Sequence, residues 1–241
     1  MKKLSIAVPN GSMESQVIHM LPTLMLYPKN GPRQPRQYRV EVAHPLIKEV
    51  VFMPPQHMPR LVAEGKYDLA ICGLDLYREW CSSPASLTHQ LSQQCKIAGR
   101  FDWTREGKPQ TRVAVIVEEA DKARSVNELP KQTKFISEYP ELTRCWLREK
   151  GLSMPVDAAF RSTEAHVPRD YRAGVCLVES GDTLKVNSQR ILEVIMQTQV
   201  VLLANIAVWK TSNELMMEQL LNRVGFKEGS LVLNSKKGGK A

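Results

Sequence analysis

The sequence contains no paired cysteine motif, no long apolar run and neither of the common nucleotide-binding signatures. Its five cysteines form no C-x-x-C pair and their number is odd, which is typical of reduced thiols rather than of a disulfide framework or a zinc site. The longest late apolar run, 200–209, is about half the length that a membrane span needs. Neither the Walker pattern nor G-x-G-x-x-G occurs. With no signal peptide at residues 1–9, these absences predict a cytoplasmic protein without a membrane segment.

The chain does have an ordinary globular composition with an excess of positive charge. Its 241 residues, 43% of them hydrophobic, are enough for one large or two small domains with a substantial core. A net charge of +8 fits either a nucleic acid partner or polyanionic small molecules. Because the basic residues are spread along the chain and no basic motif is interleaved with aromatic residues, we expect no nucleic acid partner.

Apolar stretches alternate with helix-like stretches, a pattern that predicts an α/β protein with mainly parallel sheets. Strands are predicted at 4–8, 39–43, 49–53, 68–72, 112–117, 134–137, 155–160, 175–178 and 200–204. Helices are predicted from about 12, and at 58–63, 77–81, 87–95, 140–150, 188–197 and 212–223. The polar stretch after Cys95 predicts a hinge or crossover into a second lobe near 95–100. We expect one lobe of residues 1–98 and 189–233, a second lobe of residues 99–188, and a disordered tail at 234–241.

The loop at 178–187 stands out, because a strand that feeds a loop of small residues and then a helix presents several free N–H groups. Such a loop binds anions, and phosphate most readily. Gly181 allows close approach of the backbone, Thr183 adds a hydroxyl donor and Lys185 adds positive charge. The carboxylate of Glu179 suits ribose hydroxyls or a magnesium ion. On this stretch alone, an ordinary strand-to-helix turn stands as an equal alternative.

Two further turns carry polar residues at the ends of predicted strands. Gly73 and Asp75 follow the strand 68–72, as in ligand loops at the carboxyl edge of an open α/β sheet, although Asp75 as a cap of the next helix is the alternative. Glu138 and Arg144 flank a strand-to-helix turn and suit either nucleotide binding or a cap and a salt bridge.

Four segments, in order, resemble the ATP phosphoribosyltransferase family. Residues 6–10 (IAVPN) resemble its opening strand, and residues 62–76 (VAEGKYDLAICGLDL) its strand that ends in a Gly-x-Asp loop. Residues 137–144 (SEYPELTR) are similar to its T-E-Y-P-N-L-T-R run. Residues 178–187 (VESGDTLKVN) are similar to its V-E-T-G-x-T-L-x-x-N loop, which binds phosphoribosyl pyrophosphate. The resemblance extends to about residue 205.

The resemblance implies an α/β fold with two lobes like those of periplasmic binding proteins and an active cleft between them. It implies the first step of histidine biosynthesis, in which ATP accepts the phosphoribosyl group at N1 and Mg²⁺ takes part. Binding of phosphoribosyl pyrophosphate then falls on Glu179, Ser180, Gly181, Asp182, Thr183, Leu184 and Asn187, with Glu179 also the candidate metal ligand. Nucleotide contacts fall on Asn10, Gly11, Ser12, Gly73, Asp75, Glu138, Tyr139, Thr143 and Arg144. No catalytic residue is identified.

The length resembles that of the short form of the family, which lacks a C-terminal histidine-sensing domain. That form implies a homo-oligomer, a dimer, and a regulatory subunit related to histidyl-tRNA synthetase. The chain departs from the family where Gly11-Ser12-Met13 replaces a Lys-Gly-Arg turn, where 54–59 replaces an arginine-and-aspartate segment, and where Arg172 and Cys176 replace an acidic pair. Two alternatives therefore stay open: a related phosphoribosyltransferase that acts on another nitrogen base, and a non-catalytic ligand-sensing module of the same fold.

Overall fold

The computed structural model describes residues 3–83, 90–101 and 111–211. The elements in these ranges are β1 (Leu4–Pro9), α1 (Glu14–Met20), β2 (Arg39–Glu41), β3 (Ile47–Met53), α2 (Met58–Ala63), β4 (Leu69–Gly73), α3 (Leu74–Ser82), β5 (Cys95–Arg100), β6 (Arg112–Glu118), β7 (Phe135–Ser137), α4 (Pro140–Glu149), β8 (Val156–Ala158), β9 (Ala173–Val178), α5 (Asp182–Val186), β10 (Gln189–Gln197), β11 (Val200–Asn205) and α6 (Ile206–Thr211). None of the helices in these ranges has the length and apolar character needed to cross a bilayer. The predicted helix at 212–223 and the tail at 234–241 lie outside the described residues, as do residues 87–89 of the helix predicted at 87–95. Of the remainder of that stretch, 90–92 are helical, whereas Cys95 already begins β5.

The strands form two sheets. The first has the order β2-β3-β1-β4-β11-β5 and the second the order β10-β6-β9-β7-β8. The centre of the first sheet, β3-β1-β4, is parallel, as is β9-β7-β8 in the second. The other neighbouring strands pair antiparallel. The α/β class is therefore confirmed, but each sheet is mixed, with a parallel group of three strands beside antiparallel ones.

Both sheets are buried on their two faces, which explains the continuous apolar runs of the central strands. In β1, Ile6 and Val8 pack into the core on one face of the first sheet, while Ala7 packs into the core on the other. In β6, Val115 and Ile116 divide between the two faces of the second sheet in the same way. A strand in this position has no solvent face and so carries no polar alternation.

Two predictions from the sequence are wrong. The stretch predicted as a helix at 188–197 is strand β10, which pairs antiparallel with β6. Two register irregularities, at Ile191/Glu193 and Val194/Met196, shift its side chains between faces, so the period of two that marks a strand is lost and a helix-like spacing takes its place. The hinge or crossover predicted near 95–100 is misplaced, because Cys95–Arg100 is strand β5 at the edge of the first sheet and the next strand, β6 of the second sheet, begins at Arg112.

The chain passes from the second sheet back to the first between β10 and β11. The Thr198 N–H donates to the Thr111 carbonyl (2.9 Å), and the Leu74 N–H donates to the Gln199 carbonyl (2.9 Å). These hydrogen bonds connect the crossing to the start of α3 and to the residue before β6. Since β10 pairs within the second sheet, the later crossing lies at 198–199; the division of the chain into two lobes itself stays a prediction.

Candidate active site

The carboxyl ends of the parallel strands of the two sheets meet. Asp75 lies in the first turn of α3, just after β4, and Tyr139 lies just after β7; the Tyr139 hydroxyl donates to Asp75 Oδ2 at 2.8 Å. In the first sheet β1 is the neighbour of β4, and in the second sheet β9 is the neighbour of β7. The turn after β1 and the loop after β9 therefore each lie one strand away from this contact, at the carboxyl edges of the two sheets, where open α/β sheets bind ligands.

The loop after β9 is held in shape by its own hydrogen bonds. Ser180 Oγ donates to the Asp182 carboxylate (2.6 Å), and the side-chain amide of Asn187 donates to the Thr183 carbonyl (2.8 Å). Gly181 has φ +83°, and a Cβ there would meet no protein atom within 4 Å, so the left-handed backbone rather than crowding selects glycine. The side chains of Ser180 and Asn187 are thus engaged within the loop.

An open pocket of about 280 Å³ lies against this loop. Its lining consists of Glu164, Leu177, Val178, Glu179, Ser180, Gly181, Thr183 and Leu184. The buried Leu184 anchors the loop in the core of the second sheet, whereas Asp182, Thr183 and Lys185 are exposed. Because α5 spans only five residues, the donors that this loop offers to an anion are its N–H groups and the Thr183 hydroxyl rather than a helix dipole.

Carboxylates gather on one side of the pocket. Glu164 lines it, and burial raises the pKa of Glu138, which lies at the end of β7 and accepts the Thr163 N–H at 3.4 Å. Burial, and then the carboxylates of Glu164 and Glu138, raise the pKa of the Cys176 thiol well above its ordinary value. Cys176 is therefore a neutral core thiol and not an activated nucleophile. Glu164 was not among the predicted site residues, because nothing in the sequence marks one acid of a polar connection as pocket-facing.

Three of the predicted nucleotide contacts are buried in a network that joins the two sheets. The Thr198 hydroxyl donates to Asp75 Oδ1 (2.6 Å), the second oxygen of Asp75 accepts from Tyr139, and Thr198 Oγ1 accepts the Asp75 N–H (3.0 Å). Burial, and then the charge of Asp75, raise the pKa of Tyr139. Thr143 is fully buried and donates to the Tyr139 carbonyl (2.7 Å). Gly73 is required beside them, since a Cβ there would collide with the Asp75 carboxylate.

A second carboxylate, that of Glu79, links α3 to α4. Glu79 on α3 accepts the N–H of Glu141 (3.0 Å) and that of Leu142 (2.7 Å), two of the unpaired donors at the start of α4. Burial raises the pKa of Glu79, and the two N–H groups act against that rise. Sequence reasoning missed this cap because the capping residue comes from another helix, more than sixty residues earlier in the chain.

The remaining predicted residues are at the surface. The guanidinium of Arg144 is half-exposed and bonds to Glu141 (2.5 Å) and to the Val156 carbonyl (2.6 Å), so it joins α4 to β8. Asn10 continues from β1, with its N–H on the Met53 carbonyl at 3.1 Å, while Gly11 and Ser12 are exposed in the following turn. The structure thus leaves the turn after β1 and the loop after β9 accessible at the carboxyl ends of their strands, and places Arg144 in a surface ion pair.

Comparison with known proteins places this cleft in a family. The family model described as HisG, ATP phosphoribosyltransferase, matches residues 54–225. An ATP phosphoribosyltransferase of Desulforudis audaxviator is 28% identical over 232 residues, which are 95% of this chain and 73% of that protein. The ATP phosphoribosyl transferase (HisG:HisZ) complex of Thermotoga maritima superposes with a TM-score of 0.70 at 20% identity, over 92% of this chain and 98% of that one.

A solute-binding protein shares the architecture. The periplasmic aliphatic sulphonate binding protein SsuA of Escherichia coli superposes with a TM-score of 0.52 at 16% identity, over 93% of this chain and 72% of that one. The fold is therefore the two-sheet α/β fold that periplasmic binding proteins also have. The chain belongs to the ATP phosphoribosyltransferase family. It is accordingly a pentosyltransferase of the first step of histidine biosynthesis.

Proposed function

We propose that the loop 179–187 binds phosphoribosyl pyrophosphate and holds it for attack by N1 of the adenine of ATP. The observation that carries this assignment is the open pocket between Glu164 and the loop, at the carboxyl end of β9. The N–H groups at the start of α5 and the Thr183 hydroxyl suit the 5′-phosphate, and the carboxylate of Glu179 suits the ribose hydroxyls.

For this reaction the protein must position the two substrates and stabilise the charge that develops. No covalent intermediate with the protein is needed. The bond from C1 of the ribose to pyrophosphate breaks, its electron pair leaves with pyrophosphate, and a bond from C1 to N1 of adenine forms. When bound, Mg²⁺ would supply positive charge to offset the negative charge of the leaving pyrophosphate. In the described residues no three His, Cys, Asp or Glu side chains group to hold a metal. Mg²⁺ commonly binds one or two carboxylates and substrate phosphates, so Glu179 and Glu164 fit such a shared site.

We assign nucleotide binding to the opposite wall of the cleft, where Asn10 is partly exposed and Gly11 and Ser12 are exposed. Asp75, Tyr139 and Thr143 are engaged with one another or with Thr198, so any contact that they make with ATP requires their network to open. We also propose that the reaction takes place in the cytoplasm. We further propose a homo-oligomer with a regulatory subunit, supported by the T. maritima relative, which was itself solved as a HisG:HisZ complex.

The test is pyrophosphate release from phosphoribosyl pyrophosphate and Mg²⁺ with a panel of nucleotides and bases, together with calorimetric binding of the donor alone. Thr183→Val removes one hydrogen bond to a charged acceptor, which is worth about 1.5–3 kcal/mol or roughly ten- to a hundredfold in donor affinity. Thr23→Val, at an exposed position outside the cleft, is the matched control. Unchanged donor affinity in Thr183→Val would remove the loop from the site. Turnover with a free base but not with ATP would favour the related phosphoribosyltransferase.

A further inference from the structure

The wall of the cleft formed by the first sheet has few cations of its own. The turn after β1 and the start of α1, residues 10–16 (NGSMESQ), contain one acid and no base. Residues 54–59, which follow the neighbouring strand β3, contain no lysine or arginine either. A nucleotide triphosphate needs positive charge where it binds, since the charge-assisted hydrogen bonds of arginine and lysine are the ones that hold phosphate.

A cation reaches this wall from the proline-rich segment 27–38. The guanidinium of Arg33 lies over the ring of Phe52, 3.8 Å from its centroid, near the end of β3. Its Nε donates to the Gln37 carbonyl (2.8 Å), and its Nη1 donates to Glu14 Oε1 (2.7 Å). The side chain is only 13% exposed, and stacking and the Nε bond fix its plane. Arg33 is therefore a pre-organised donor at the end of β3.

The Glu14 carboxylate accepts hydrogen bonds from two donors, one on a side chain and one on the backbone. One oxygen accepts Arg33 Nη1, and the other accepts the Gly11 N–H at 3.4 Å. Gly11 is exposed with φ +73°, and no protein atom lies within 4 Å of where a Cβ would be, so the space over this turn is open. A guanidinium and a backbone N–H converging on one anionic group form the donor set that also binds a phosphate oxygen.

We infer that the Glu14 carboxylate occupies a phosphate position of the acceptor nucleotide, and that ATP binds by displacing it from Arg33 and the Gly11 N–H. Arg33 is then a phosphate-binding residue, and Glu14 is an internal competitor that lowers the affinity for ATP. The inference rests on the proposed function, since it takes ATP as the polyphosphate that enters the cleft. Glu14 is 30% exposed, so its side chain has room to turn out to solvent when phosphate arrives.

The inference predicts effects of opposite sign for the two partners of one ion pair. Glu14→Gln removes the competing charge and should tighten ATP binding about two- to fivefold, the range of a partly exposed ion pair. Arg33→Gln should weaken it about tenfold or more, as expected for a lost charge-assisted hydrogen bond. In the Arg33→Gln background, Glu14→Gln should change ATP affinity little, because the competition acts through Arg33.

The experiment measures binding of ATP, and separately of tripolyphosphate, to the full chain by calorimetry in the absence of the phosphoribosyl donor. Glu41→Gln is the matched control, because Glu41 pairs with Lys29 of the same segment (3.6 Å) and its loss should leave both affinities unchanged. Arg33→Lys keeps the charge and serves if Arg33→Gln folds poorly; it should bind ATP less tightly than wild type but more tightly than Arg33→Gln.

A purely structural ion pair gives a different result. Both variants would then loosen the segment 27–38, and ATP affinity would fall or stay unchanged in both. Unchanged or weaker ATP binding in Glu14→Gln therefore overturns the inference, while donor binding and its loss in Thr183→Val still stand. If wild-type protein binds neither ATP nor tripolyphosphate, the inference falls together with the assignment of ATP to this cleft.

Discussion

The buried contact of Asp75 with Tyr139, which joins the two sheets, can be weakened by removing a single oxygen. Tyr139→Phe deletes the hydroxyl that donates to Asp75 at 2.8 Å and leaves the ring in its place. A hydrogen bond to a charged group contributes about 1.5–3 kcal/mol, and one Asp75 oxygen is left buried without this donor. We expect the free energy of unfolding to fall by that amount. If the two sheets belong to separate lobes, as predicted, the equilibrium between joined and separated lobes should shift about ten- to a hundredfold toward separation.

The assay combines urea denaturation with small-angle X-ray scattering and amide hydrogen exchange. Urea reports the loss in stability, scattering reports a larger radius of gyration, and exchange should increase at the crossing 198–199 and at the start of α3. Tyr171→Phe is the matched control, since the Tyr171 hydroxyl also donates to a carboxylate, Asp157 Oδ2 at 2.6 Å, but within the second sheet and near solvent. It should cost about 1 kcal/mol or less and leave the radius unchanged.

The reasoning fails if Tyr139→Phe and Tyr171→Phe are indistinguishable in stability and in scattering. That result would mean that the Thr198 hydroxyl, 2.6 Å from the other Asp75 oxygen, holds the halves by itself. Thr198→Val separates the cases, because it removes both the donor to Asp75 and the acceptor of the Asp75 N–H. If Thr198→Val also leaves the radius unchanged, the network does not control the cleft.

Two further predictions concern single carboxylates. Glu79→Gln replaces an acceptor of two N–H groups, those of Glu141 and Leu142, by one that accepts with a single oxygen; we expect a loss of about 1 kcal/mol by urea denaturation, as for a lost helix cap. Arg172 lowers the pKa of Asp121 through a paired contact (2.8 and 3.1 Å), so this contribution to stability is present above the ordinary carboxyl pKa near 4 and is lost as the pH falls through the lowered value. Arg172→Gln should therefore cost roughly 0.5–1 kcal/mol at pH 7, allowing for the exposure of Arg172, and almost nothing near pH 2; an equal cost at both pH values would contradict the assignment.

Local structure could be predicted from the sequence, because it depends on residues that are neighbours along the chain. The helix predicted at 58–63 is found at Met58–Ala63, and Pro140 begins α4 as its position suggested. The loop after β9 lies where a strand, a glycine and a polar run predicted it. In each case the signal is the order of residue types over fewer than a dozen positions.

Contacts between distant segments left no such signal. Asp75 and Thr198 are 123 residues apart, and neither residue indicates in the sequence that the other is its hydrogen-bond partner. The cap that Glu79 provides for α4 and the ion pair of Arg33 with Glu14 arise only after the sheets have formed. Strand β10 was missed for a local reason, since its two register irregularities remove the alternation by which a strand is recognised. The resemblance to a family predicted the cleft. It did not predict which polar residues of the cleft are hydrogen-bonded to one another.

Gly181 allows the stability of the loop to be separated from its affinity for the donor. A methyl group at this position meets no protein atom within 4 Å, so Gly181→Ala should lose only the cost of a left-handed alanine, about 1–2 kcal/mol. Gly151, in the turn after α4, has φ +74° and equally open surroundings, and Gly151→Ala should lose the same amount. If the space beside Gly181 is where the 5′-phosphate approaches the backbone, Gly181→Ala alone should also weaken binding of phosphoribosyl pyrophosphate by tenfold or more in calorimetry, because the methyl group pushes the anion away from its N–H donors. Equal donor affinity in the two variants, at equal loss of stability, would show that the positive φ of Gly181 serves only the turn and that the donor lies elsewhere in the cleft.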